Sequence, residues 1–172
     1  SAYHKLTATN FAGFLSPSSD TSQRFFTPAS SQATADLCAV MSMGARIFQP
    51  YNASFAAQCQ TVADKAWTWL QANPGELLAN LAGFGTGAYN EAGTDADHRV
   101  WAAAEYWQTT GNAGGLSDFE SRMAADPDKV SVYWDWGEHL YGKRGPKNHG
   151  IFTYLLSTRS GRDPVRVADL QA

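Results

Sequence analysis

Asp95, Asp97, His98 and Glu105 crowd into one stretch, TDADHRVWAAAEYWQTTG at residues 94–111, with Gly93 directly ahead of it. Two carboxyls can do acid–base work on a bond when one is held protonated and the other ionised. Carboxylates and loop carbonyls together also offer the hard oxygens that calcium takes, about six to eight at a time. The same residues have a purely structural use. Thr94 followed three positions later by Asp97 is an N-terminal capping pattern, and acids in a first helical turn meet unpaired N–H groups and the positive end of the macrodipole. For catalysis the capped-helix reading is favoured, because the sequence holds no carboxyl pair of known separation. For a cation the question stays open, since a glycine-rich run leads straight into the acids.

Any such chemistry needs a helix to carry it. At roughly 100° per residue, Val100, Trp101, Ala104 and Trp107 share one face, with Asp97 at its start and His98 and Glu105 along its flank. Gly111 supplies the left-handed residue that ends a helix, and NAGG after it reads as loop. Ahead of the helix, LAGFGTGAYNEAG lets backbone approach a ligand or another segment, but it lacks both the Lys-Ser/Thr ending and the preceding strand of a phosphate loop.

The remaining elements read as helical hairpins. Thr27-Pro28 predicts a helix over about 29–48, and Asn52 caps a second that Asn73-Pro74-Gly75 stops. Apolar residues at spacings of three and four predict that the pair packs through Leu37, Val40, Met41, Phe55, Val62 and Leu70. Cys38 falls on the flank of its stripe and Cys59 at the centre of the other, so free thiols are expected. Ser117 is the expected cap of a helix over about 118–125, KRGPKNHG reads as a polar loop, 151–157 as helix, and Asp163-Pro164 opens another helix. Residues 1–28 read as a long loop packed by Phe11, Phe14, Phe25 and Phe26. The expectation is one all-α domain of helical hairpins, stacked as a solenoid or closed in a ring around a cleft.

Composition narrows the partners. Charged residues make up 17% and the net charge is −3, with no Lys/Arg run, which removes the electrostatic footprint of nucleic-acid or anionic-membrane binding. No apolar stretch approaches the roughly 18 residues of a membrane span. Aromatics reach 13%, which suits a compact body with ring-lined surfaces.

Several segments carry a family resemblance: the opening YHKLTATNF, then PASSQATADLCAVMSMGARIFQPYNASFAAQC, AWTWLQANP, and GAYNEAGTDADHRVWAAAEYWQTTGN. Together they resemble glycoside hydrolase family 9, most specifically at ATAD and DADHRVWAAAE. The resemblance implies hairpins of an (α/α)6 barrel, here its middle portion. It also implies a secreted endo-β-1,4-glucanase, a cellulase that cleaves β-glucan with inversion in an open cleft. The family's Asp-Ala-Gly-Asp base motif and its late acid Glu match nothing in this chain, so no catalytic residue is assigned here. The remaining segments of the same barrel are then expected partners, and the isolated chain is expected to be inactive.

The resemblance also implies particular site residues. Tyr89 matches a tyrosine lining the cleft beside the reacting sugar, and the alternative is an anchor for the glycine loop. His4, in the YHK segment, reaches the cleft in relatives, and otherwise it is a surface residue. Trp134 is a candidate sugar-stacking ring, although Trp134 and Trp136 around Asp135 suit core packing equally. For calcium the family's ligands map onto Asp97, His98 and Asp135, with Gly93 and Thr94 as carbonyl donors. His98 replaces the usual Glu, which weakens the site by one charge and one oxygen. A non-catalytic glucan-binding or scaffold domain is the competing function.

Overall fold

The computed structural model describes residues 1–87, 94–126 and 145–171. Six helices lie among them: α1 Ser31–Phe48, α2 Ala53–Ala72, α3 Ala96–Thr110, α4 Ala113–Ala125, α5 Gly145–Leu156 and α6 Pro164–Gln171. Their relative directions follow from which residues meet. Cys38 donates to the Ala63 carbonyl at 3.7 Å, and a Cβ built on Gly44 would sit 3.1 Å from Cys59 Sγ. Partners therefore run in opposite order along α1 and α2, and the two form the expected antiparallel hairpin. By contrast Gln32 meets the Thr94 carbonyl and Asp36 meets His98, each pair 62 residues apart, so α1 and α3 are parallel. Glu105 meets Thr153 and Gln108 meets Ser157, 48 and 49 residues apart, which makes α3 and α5 parallel too. The result is a row of three parallel helices, α1, α3 and α5, backed by the returning helices α2 and α4.

The centre of that row explains the burial of α3. Residues 98–100 and 102–107 of α3 are all buried, so its polar residues cannot occupy a solvated flank as the helical wheel predicts. Each instead has a partner, as buried polar groups require. Glu105 receives hydrogen bonds from Arg46 Nη2 at 2.8 Å and Thr153 Oγ1 at 2.5 Å. Tyr106 donates to Asp64 at 2.9 Å and stacks on Trp67, with ring centroids 4.9 Å apart. Gly150 is what lets α5 come so close, because a Cβ there would lie 3.0 Å from both the Trp101 Cα and the Val100 carbonyl oxygen.

The hairpin core is built from smaller residues than the hydropathy stripe predicts. Leu70 is buried and Met41 packs against the core, but Val40 and Phe55 are 49% and 41% exposed, and Leu37 and Val62 are only partly covered. The contact surface instead runs through Ala35, Cys38, Ala39, Ala63 and Ala66. Helix α1 is wedged between α2 and α3, so close approach selects Ala and Cys, which weigh little in a hydropathy reading. Phe48 and Phe55 meet edge to face across the turn, 5.1 Å apart. Both cysteines are free and buried, and burial pushes the Cys38 thiol up to about 12.

Other boundaries shift for local reasons. Helix α1 starts after Ser30, whose Oγ accepts from the Ala33 N–H at 3.1 Å, because Ala29 is held in a strand and Pro28 precedes it. Helix α4 starts after Asn112, whose Oδ1 accepts from the Gly115 N–H, so NAGG is a cap and first turn rather than loop and Ser117 lies inside the helix. Helix α5 takes in GPKNHG, with Pro146 in its first turn, where a missing N–H costs nothing. Helix α3 ends at Gly111 with φ 73° as expected, and Arg159 closes that end by donating to the Gln108 and Thr109 carbonyls.

Residues 1–30 also depart from the expected loop. Short antiparallel pairs join β1 (Ala2–Tyr3) to β4 (Ala29–Ser30) and β2 (Leu6–Thr7) to β3 (Phe25–Phe26). Phe25 approaches Phe84, but Phe11 and Phe14 are exposed rather than packed. Among the described residues no helix is long and apolar enough to cross a membrane.

Candidate functional site

Because α1, α3 and α5 are parallel, their N-termini share one end of the row, and the described candidate residues gather there. His4 Nδ1 lies 2.9 Å from Ser30 Oγ, the cap of α1, and the His4 N–H donates to the Pro28 carbonyl at 3.0 Å. The histidine is therefore part of the rim at the start of α1 and only partly exposed, rather than loose near a terminus. Its neighbour Lys5, which sequence reasoning missed although it stands in the same YHK segment, reaches across to the glycine-rich loop. Lys5 Nζ donates to the Thr86 carbonyl at 2.5 Å and to the Gly87 carbonyl. Thr7 Oγ1 meets Thr86 Oγ1 at 2.6 Å, and the Gly85 N–H donates to the Thr9 carbonyl at 2.7 Å. Residues 5–9 thus hold residues 85–87 of the glycine-rich run.

The start of α3 is fastened to α1 in the same way. Gln32, buried at 2% exposure, donates through Nε2 to the Thr94 carbonyl at 3.0 Å. Thr94 Oγ1 accepts from the Ala96 N–H at 3.0 Å, and Asp95 is the residue at the helix cap position. Asp95 accepts from Arg99 Nε at 2.7 Å, and the same guanidinium donates to the carbonyls of Leu70, Asn73 and Gly75. His98 and Asp36 meet at 2.7 Å, Nδ1 to Oδ1. A carboxylate can only accept, so the imidazole carries its proton on Nδ1 and donates. Asp36 lies in the ATAD segment and Arg99 in DADHRVWAAAE, so both signals stood in the sequence without a role attached.

Two of the acids singled out in the sequence are thereby committed to structure. The Asp95 and Glu105 carboxylates both face guanidinium groups, and both are buried. A pocket of about 340 Å³ does open beside Glu105, between α1, α3 and α5, with Trp101, Gln108 and His149 on its wall. Arg46 and Thr153 occupy the carboxylate there. Tyr89 and Gly93, at 88–93, and Trp134 and Asp135, at 127–144, lie outside the described residues.

Calcium, which the resemblance implies, can be tested against the donors that are described. Its ligands should be several hard oxygens. The Thr94 carbonyl faces the Gln32 amide, the Thr94 hydroxyl faces Ala96 N–H, Asp95 faces Arg99, and position 98 presents an imidazole engaged by Asp36. Among the described residues no group of three or more His, Cys, Asp or Glu side chains is arranged to hold a metal ion. Asp97 stands in the first turn of α3, and Gly93 and Asp135 of the assigned set lie outside the described residues.

Comparison with known proteins gives a consistent answer. Residues 4–157 match Glycosyl hydrolase family 9. The chain is 42% identical over 168 residues to Endoglucanase D of Acetivibrio thermocellus, covering 98% of this chain and 26% of that protein. It is 38% identical over 119 residues to a Cellodextrinase of Butyrivibrio fibrisolvens, covering 69% of this chain and 22% of that one. The crystal structure of a metagenome-derived glycoside hydrolase family 9 endoglucanase superposes with a TM-score of 0.80 at 34% identity, over 98% of this chain and 29% of that chain. The chain thus spans about a quarter of the length of these relatives, and its helical hairpins correspond to part of an (α/α)6 barrel. With the family match extending over most of its length, the chain belongs to glycosyl hydrolase family 9.

Proposed function

We propose that the chain forms part of the barrel of an endo-β-1,4-glucanase that hydrolyses cellulose or related β-glucan outside the cell. The observation that carries this reading is the shared end of α1, α3 and α5. There the starts of α1 and α3 lie side by side, with His4 against Ser30 and Gln32 against the Thr94 carbonyl, and Lys5 holds Thr86 and Gly87 of the glycine-rich run, within a chain of the family. Rigid helix ends that hold loops at one rim are the usual scaffold for a cleft. Inverting hydrolysis needs an acid and a base roughly 6.5–9.5 Å apart to leave room for water. In this reading both are supplied by segments beyond these 172 residues, while Tyr89, His4 and Trp134 line the sugar path.

Release of reducing sugar from a soluble cellulose derivative tests it, with the 172 residues alone and with a chain extended at both ends. The extended chain should hydrolyse and the short one should not, since each general acid or base is worth roughly 10² to 10⁴ in rate. Activity in the short chain that is lost on changing Asp95, Asp97 or Glu105 would place the catalytic acids here instead. An extended chain that binds oligosaccharide without cleaving it would move the function to glucan binding, with Tyr89→Ala the variant expected to weaken it.

A further inference from the structure

We infer that the pocket between the N-terminal segment and the glycine-rich run is an outlying sugar subsite, which takes a glucosyl unit of a β-glucan chain on the ring of Phe11. The identity of the sugar rests on the hydrolase reading, whereas the site itself rests on geometry. The pocket holds about 430 Å³, within the roughly 300–1,000 Å³ of small-molecule sites, and Phe11, Asn10, Asp20 and Arg24 line it. Phe11 is 70% exposed, and an aromatic face open to water is what the C–H face of a pyranose covers. Polar side chains stand beside the ring. Arg24 donates to the Ser22 carbonyl at 2.9 Å and to Asp20, while a guanidinium carries five N–H donors. Asp20 accepts from the Ser22 N–H at 3.0 Å through one oxygen and from Arg24 through the other, and each oxygen has a second lone pair. Asn10 adds an amide, admitted to the wall by Gly85, where a Cβ would stand 2.9 Å from Asn10 Oδ1. Planar groups of this kind match neighbouring sugar hydroxyls, which donate and accept together. Charge selects the same ligand. The Asp20 carboxylate and the Arg24 guanidinium offset each other, and the Lys5 ammonium is engaged by Thr86 and the Gly87 carbonyl, so the pocket favours a neutral polyhydroxyl unit over a phosphate or a cation. Lys5 and Thr86 also belong to the rim, which places the pocket beside the proposed cleft.

The test uses the full natural polypeptide with cellotriose and cellohexaose as substrates, and reads the ratio of kcat/KM for the longer over the shorter. Phe11→Ala should lower that ratio about three- to tenfold, Arg24→Gln should lower it too, and Phe11→Tyr should keep it. A fall in kcat/KM that is equal for both lengths would overturn the subsite, because a fault in folding or chemistry does not count sugars. A ratio unchanged in both Phe11→Ala and Arg24→Gln, with hydrolysis intact, would also overturn it and leave the hydrolase reading standing. If the unaltered protein cleaves neither substrate, the hydrolase reading fails, and calorimetric titration with cellohexaose decides the subsite by itself. Binding that Phe11→Ala weakens about three- to tenfold would uphold it. No binding, or binding that Phe11→Ala leaves unaltered, would overturn it.

Discussion

Asp95 and Arg99 form an ion pair one helical turn apart at the start of α3, at 2.7 Å, with their side chains 9% and 3% exposed. The guanidinium also donates to the carbonyls of Leu70, Asn73 and Gly75, which closes the end of α2. One planar fork therefore joins the end of α2 to the start of α3, a task for which Lys has neither the donors nor the geometry. Removing one member leaves a buried charge without its partner, so Arg99→Met should cost about 3–5 kcal/mol. Denaturant unfolding measures it, and a loss below about 1 kcal/mol would mean that the pair is solvated.

Gly150 presents a smaller but sharper case. Alanine favours a helix over glycine by roughly 1 kcal/mol. Here its Cβ would stand 3.0 Å from backbone atoms of Val100 and Trp101, which cannot rotate away. Overpacking costs roughly 1–3 kcal/mol, so Gly150→Ala should be net destabilising. A rise in melting temperature would show that α3 and α5 lie farther apart than described.

The Tyr106 phenol is pushed up to about 12, first by burial and then by its hydrogen bond to Asp64. The folded value lies above the unfolded one of about 10, so the folded state keeps its proton where the unfolded state loses it. Stability from this group is therefore complete below about pH 10 and falls as pH rises towards 12. Tyr154, raised by burial and by Glu120, adds to the same alkaline slope. Denaturant midpoints measured between pH 9 and 11.5 should fall, and Tyr106→Phe should make the fall shallower. An unchanged slope in that variant would remove Tyr106 from the account.

The readable and unreadable parts of this sequence divide along a physical line. Asn52, Gly111 and Pro164 punctuate helices locally, and each boundary they predict is found. The face of α1 is not a local property. Cys38 and Ala35 are buried because two helices flank α1, while Val40 lies on the side that neither covers, and hydropathy ranks these residues the other way. The start of α4 was missed because Gly114 and Gly115 read as loop, although Gly115 is buried where a side chain would meet Ala103 and Trp107. At the site, the family segments set His4, Thr94 and Asp97 at the end of the row where α1 and α3 start. The pairings Gln32–Thr94 and Asp36–His98 need the parallel register of α1 and α3, which no single segment reveals.

Glu105 makes the sharpest test of a non-catalytic assignment. It is 2% exposed, lies beside a pocket with Trp101 and His149, and would pass for a cleft acid on those grounds alone. Its two oxygens are nevertheless committed, Oε2 to Arg46 at 2.8 Å and Oε1 to Thr153 at 2.5 Å. A general acid must present a carboxyl oxygen to substrate, and both oxygens of this one are engaged by neighbouring helices. Replacing it with Gln keeps the shape and one acceptor but removes the charge facing Arg46, whose side chain is 34% exposed and can be partly rehydrated. Glu105→Gln should therefore cost about 1–3 kcal/mol of stability. In the full natural polypeptide its turnover per folded molecule should stay within about twofold, against losses of roughly 10² or more for a true general acid. Turnover corrected for the folded fraction, measured together with the unfolding midpoint, separates the two roles. A hundredfold loss of turnover at unchanged stability would assign Glu105 to the chemistry.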